Sequence, residues 1–112
     1  MEQKLKPYWK ERNKTKTIDE YFLESNLNKS KFNRYQLEEI NWGLKQNLDV
    51  SWFVDPKYSD EQMKQIRLGL EDNLDVSIYA TPEFEWRQME EIREKLLKEK
   101  KERIIITILQ YL

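Results

Sequence analysis

The 112-residue sequence predicts an all-α protein: a small stack of helix pairs, each a long helix followed by a short one, finished by a long C-terminal helix. Three observations carry that prediction. "WGLKQNLDVSWFVDP" at 42–56 returns 26 residues later as "LGLEDNLDVSIYATP" at 68–82. Each copy follows a helix-start signature at the same register. Apolar residues before each copy keep the spacing of one helical face.

The N-terminal segment 1–16 is basic, with Lys4, Lys6, Lys10, Arg12, Lys14 and Lys16 set against Glu2 and Glu11. Residues 17–112 read as one helical-repeat domain. Its opening, "TIDEYFLESN", resembles the closing phrase of a unit: Ile18 and Asp19 sit like Leu48 and Asp49. We read it as a degenerate half-unit, with Thr17 starting its helix.

Full units follow at 31–56 and 57–82, and a divergent one at 83–112. Lys31, Gln36, Ile40, Gly43, Leu44, the run 47–51 and Pro56 recur as Lys57, Gln62, Ile66, Gly69, Leu70, 73–77 and Pro82. That is 11 identities in 26 positions, and it includes the chain's only two glycines. Such self-similarity is the mark of a repeat architecture. In the second unit Ser59 and Gln62 form a capping box, with Tyr58 and Met63 as its hydrophobic staple. Asn33, Gln36, Phe32 and Leu37 do the same in the first unit. The third keeps Phe84 and Met89 but has Glu85 at the cap. Met63, Ile66, Leu70 and Leu74 line one face. Asn47 and Asn73 suit the left-handed position that ends a helix. A glycine inside a helix costs about 1 kcal/mol against alanine, so Gly43 and Gly69 mark close packing against a neighbour.

The closing phrase admits two readings. Asp75 caps a short helix over 76–80, with Val76, Tyr79 and Ala80 turned inward. The alternative is a strand, since Leu48, Val50, Trp52 and Val54 alternate, as do Leu74, Val76, Ile78 and Ala80. Strand-plus-helix units of this length would build a horseshoe. The third unit loses the glycine, the asparagine and the closing phrase. Its helix therefore runs from Glu85 to the C-terminus, with Leu96, Lys100, Ile104, Ile108 and Leu112 on one line; the β-branched run 104–108 admits a strand, or an apolar end that pairs with another chain, as the alternative.

Composition narrows the function. Formal net charge is −1, so bulk charge points to no polyanion partner. The chain has no Cys and no His, which excludes disulfides, thiolate metal sites, and the commonest general base and metal ligand. No cofactor is expected. The N-terminus lacks the apolar run of a signal peptide, and "IIITILQYL" is too short to span a bilayer. A cytoplasmic protein without membrane association is expected. Asp49 and Asp75 recur in register but sit where caps are needed. Ser51 and Ser77 have no candidate base. An enzyme is not expected.

The phrase "QMKQIRLGLEDNLDVSIYATPEF" resembles a repeat found in uncharacterised proteins of Gram-positive bacteria and their phages, plasmids and conjugative elements. The resemblance covers about residues 31–97. It implies no active site, only a mobile-element setting. In that setting, small Cys-free proteins often inhibit host defence, anti-CRISPR proteins included.

Two binding functions are therefore expected from the chain. As a protein-binding module, it offers Trp86 with Arg87 and Arg93 on the same helix, and Arg67 and Lys64 on the helix before; aromatic and arginine side chains of this kind make interface hot spots. Trp86 is expected to be exposed, whereas Trp42 and Trp52 are equally suited to packing between units. The alternative is a nucleic-acid-binding accessory protein that uses Lys4, Lys6, Tyr8, Trp9, Lys10, Arg12, Lys14 and Lys16, basic residues interleaved with stacking aromatics. The apolar C-terminal end also suggests a homodimer.

Overall fold

A computed structural model describes residues 15–112. It is all-helical. Helix α1 spans Ile18–Glu24, α2 Arg34–Lys45, α3 Asp60–Glu71 and α4 Trp86–Gln110. Tight 3₁₀ turns at Lys29–Lys31, Val50–Trp52 and Val76–Ile78 follow the first three. The strand alternative is excluded, because no strand occurs among the described residues. The short helix is the tighter i→i+3 form: Phe53 N–H donates to the Val50 carbonyl at 2.9 Å, and Tyr79 N–H to Val76 at 3.0 Å.

Each helix starts and stops for local reasons. The Asn33 and Ser59 side chains accept from the Gln36 and Gln62 amides, and both glutamines return a bond to the cap backbone. Thr17 and Glu20 do likewise for α1. Asn26, Asn47 and Asn73 take φ values of 55°, 58° and 55°. The residue after each donates back into the helix: Leu48 N–H to the Gly43 carbonyl and Leu74 N–H to Gly69, both at 2.9 Å. These are Schellman endings, which satisfy carbonyls the helix would leave open.

One sequence reading needs correction. The opening half-unit does not begin with a closing phrase at 17–26; it ends with one at 26–32. Asn26 is left-handed, Leu27 N–H donates to the Phe22 carbonyl at 3.0 Å, and Asn28 caps Ser30 as Asp49 caps Ser51. The chain then reaches α2 five residues sooner than in the later units. Phe32 does the work of two residues there, ending the turn like Phe53 and preceding the next cap like Tyr58. It is buried edge-on against Phe22, with ring centroids 5.4 Å apart.

The helices pack in chain order, α1 on α2, α2 on α3, and α3 on α4. The core repeats with the sequence: Ile40 and Ile66, Val50 and Val76, Phe53 and Tyr79, Met63 and Met89 are all buried. Both glycines sit under a closing turn. A Cβ on Gly43 would lie 2.6 Å from Val50 Cγ1 and 3.1 Å from Phe53 Cζ; one on Gly69 would lie 2.8 Å from Val76 Cγ1 and collide with the Tyr79 hydroxyl. In the third unit Lys95 stands at the glycine position and Glu99 at the asparagine position. No notch and no left-handed stop exist there, so α4 runs straight on for 25 residues.

Candidate interaction surfaces

The repeat places equivalent side chains on successive helices, and two of these rows bind the units together. The Gln36 amide of α2 donates to the carbonyls of Tyr58 at 2.6 Å and Pro56 at 3.2 Å. Gln62 reproduces this one unit on, to Phe84 at 2.6 Å and Pro82 at 3.1 Å. One glutamine thus caps its own helix and fastens the next unit's entry. In the second row, Arg67 Nε donates to Glu39 at 2.6 Å, and Arg93 Nε to Gln65 at 2.9 Å. Arg67 also pairs with Glu71 on its own helix. Lys100 closes the series on the Asp72 carbonyl at 2.6 Å.

That accounting moves two residues of the predicted protein-binding set into the stack. The Arg67 side chain is only 12% exposed and Arg93 is half-buried, both turned to the preceding helix. Lys64 and Arg87 are exposed. Trp86 is half-buried rather than exposed, and the Arg87 guanidinium lies over its ring at 5.2 Å. The predicted nucleic-acid set from Lys4 to Lys14 lies outside the described residues. Lys16 is described, and its ammonium is paired with Glu24. That bond raises its pKa above the usual lysine value.

Among the described residues the exposed indoles are Trp42 and Trp52. Trp42 is 55% and Trp52 41% exposed. Trp42 shares the outward stripe of α2 with Tyr35, seven residues before it and 59% exposed. A cation lies over each ring, Lys45 over Trp42 and Arg34 over Tyr35, both at 5.8 Å. By register, Lys64 and Arg87 extend this outward face across α3 and α4, at the positions of Glu38 and Tyr35. Trp52 and Ile78 occupy the same place in successive closing turns and are both exposed. Beside the second turn, where α4 runs past it, lies an open groove of about 550 Å³ between Leu74, Ile78, Leu96 and Lys100. Spacing in the sequence sets Tyr35 and Trp42 on one stripe at i, i+7, but leaves open whether that stripe faces a neighbouring unit.

Asp49 and Asp75 act as caps, each accepting from the amide two residues on at 3.2 Å. Among the described residues no group of three or more acidic or metal-ligating side chains gathers to hold a metal ion. No helix of the described chain is long and apolar enough to cross a membrane. Searches of protein-family models, of curated proteins and of solved structures each return no match.

Proposed function

We propose that this chain is a non-enzymatic helical-repeat module that captures another protein on the outward face of its stack, with Trp42 and Tyr35 at the centre of the contact. The observation that carries this reading is their joint exposure on one stripe of α2, each beneath a cation. Trp, Tyr and Arg are the residue types that dominate binding energy at protein interfaces. Lys64 and Arg87 supply the charged rim, and Trp86 flanks it. The mobile-element setting implied by the repeat's resemblance favours a host enzyme as the partner, such as a defence nuclease that the module would occlude.

The test is capture from a nuclease-treated Gram-positive lysate by the wild type and by Trp42→Ala. The variant is expected to lose the captured protein while its thermal unfolding midpoint stays within about 2 °C, because an exposed side chain contributes little to the core. Undiminished capture by Trp42→Ala overturns the assignment of the face. Capture that vanishes on nuclease treatment favours the nucleic-acid alternative instead.

A further inference from the structure

The second half of α4 leaves the stack. Lys100 is its last half-buried residue, and every residue from 101 to 112 is exposed. This projecting arm carries Ile104, Ile105, Ile106, Ile108, Leu109, Tyr111 and Leu112, each at least 49% exposed. From 104 onward it has no charged residue, in a chain that is 37% charged. Beyond Lys101 and Glu102 the polar positions Arg103, Thr107 and Gln110 share one edge, and the Thr107 hydroxyl turns back to the Arg103 carbonyl at 2.9 Å. From 104 onward the rest of the circumference is apolar, and Ile105, Ile108 and Leu112 run down its middle at i, i+3 and i+7.

Such an arm is a poor helix by itself. Five consecutive residues, 104–108, are β-branched, which lowers helix propensity, and a helix this short with no packed face is marginal in water. It needs cover. We propose that residues 101–112 pair with the same segment of a second copy, making the C-terminal arm a dimerisation helix. This inference is independent of the proposed capture face on α2.

Area and charge select the occupant. The seven apolar side chains expose on the order of 900 Å² per chain, and covering about six-tenths of that on each copy passes the ~1,000 Å² that separates specific interfaces from incidental ones. The preceding stretch of α4, 90–103, carries Glu90, Glu91, Glu94, Glu99 and Glu102 against Arg93, Lys95, Lys98, Lys100, Lys101 and Arg103. That is five acids against six bases. So even a balance lets two copies lie side by side without repulsion. It is far from the basic excess that draws a helix onto an anionic membrane or a nucleic acid. A self-complementary patch on one chain is what a two-fold interface requires.

The experiment is sedimentation equilibrium of the purified full chain, with the double variant Ile105→Glu/Ile108→Glu in parallel. The wild type is expected to reach twice the 13.9 kDa chain mass in the micromolar range. The variant should raise the dissociation constant at least about a hundredfold, since a charge would be buried at the seam of each helix. Because Ile105 and Ile108 are exposed and lie outside the core cluster, thermal unfolding of the stack should be unchanged, which shows the variant to be folded. A wild type that stays at chain mass overturns the proposal. So does an assembly that the double variant leaves intact. Binding of the monomer to vesicles of neutral phosphatidylcholine in place of self-association assigns the arm to a lipid surface and also overturns it.

Discussion

The Tyr79 hydroxyl donates to the Gln65 carbonyl at 2.6 Å, reaching across the notch that Gly69 leaves in α3. The bond ties a closing turn to the helix it closes. It exists only because residue 69 has no side chain. Phe53 makes the same approach to Gly43 without a hydroxyl.

Gly69→Ala should therefore destabilise the protein although it places a better helix former in a helix. Propensity alone favours alanine by about 1 kcal/mol. Against that stand overpacking into the Val76 methyl and displacement of a buried, hydrogen-bonded ring, costing about 1–3 kcal/mol and up to ~1.5 kcal/mol respectively. The net expectation is a loss of about 1–3 kcal/mol, read as a lower urea midpoint at unchanged slope. An unchanged or higher midpoint would show that the turn does not seat in the notch.

Much of this architecture is legible in the sequence because its signals are local. Capping boxes, left-handed asparagines and glycine notches each lie within a few residues of what they determine, and the 26-residue period repeats them. The opening half-unit escapes this reading for the opposite reason. Phe32 compresses two positions into one, so the offset that aligns the later units fails there. Arg67 and Arg93 look like surface cations on a helical wheel. Periodicity places them at the edge of the apolar face without saying that Glu39 and Gln65 meet them from the preceding helix. Trp42 and Trp52 fit either an inner or an outer position by spacing, and the direction of the neighbouring unit decides between them. Likewise, the β-branched run 104–108 admits a strand as well as a helix, and the pattern does not say what lies against it.

The double duty of Gln62 predicts unequal costs for chemically identical substitutions. Gln62→Ala removes half of a capping box and strands the Phe84 and Pro82 carbonyls in a part-buried site. Its cost should be about 2–3 kcal/mol. Gln88 is the equivalent residue of the last unit, exposed, and its Oε1 accepts from the Glu85 amide at 2.9 Å. Gln88→Ala should cost about 1 kcal/mol or less. Equal losses in chemical denaturation would remove the inter-unit role of the glutamine.

The Arg67–Glu39 pair has a natural counterpart in Arg93–Gln65, one unit further on. Glu39→Gln should thus be tolerated, at a cost of about 1 kcal/mol or less, because a glutamine already serves an arginine in that geometry. Arg67→Ala is the harsher change. It leaves the 16%-exposed Glu39 carboxylate without its main partner, and about 1–3 kcal/mol should be lost. If Glu39→Gln proves as damaging as Arg67→Ala, the two rows are not equivalent and the stack is held differently in its two halves.

Alkaline stability follows from the buried tyrosine. Burial raises the Tyr79 pKa well above the ordinary tyrosine value, an effect that Asp72 reinforces and Arg93 opposes. Burial also raises Tyr58, with help from Asp55. The folded state therefore holds these protons more tightly than the unfolded chain does. Below about pH 10 both states are protonated and the stabilisation is fully present. Above it the unfolded chain releases protons first, and stability falls as pH rises toward the folded values. Tyr79→Phe gives up the bond to the Gln65 carbonyl, at about 1 kcal/mol near neutrality. It also removes the Tyr79 share of the alkaline decline. Urea midpoints between pH 7 and 11 should accordingly fall less steeply for Tyr79→Phe than for the wild type, with Tyr58 and Lys16, whose pKa values the fold also raises, contributing to the residual slope. Parallel pH profiles would mean that the Tyr79 proton is held no more tightly in the fold than in the open chain, and the sealed notch beneath the second closing turn would be refuted.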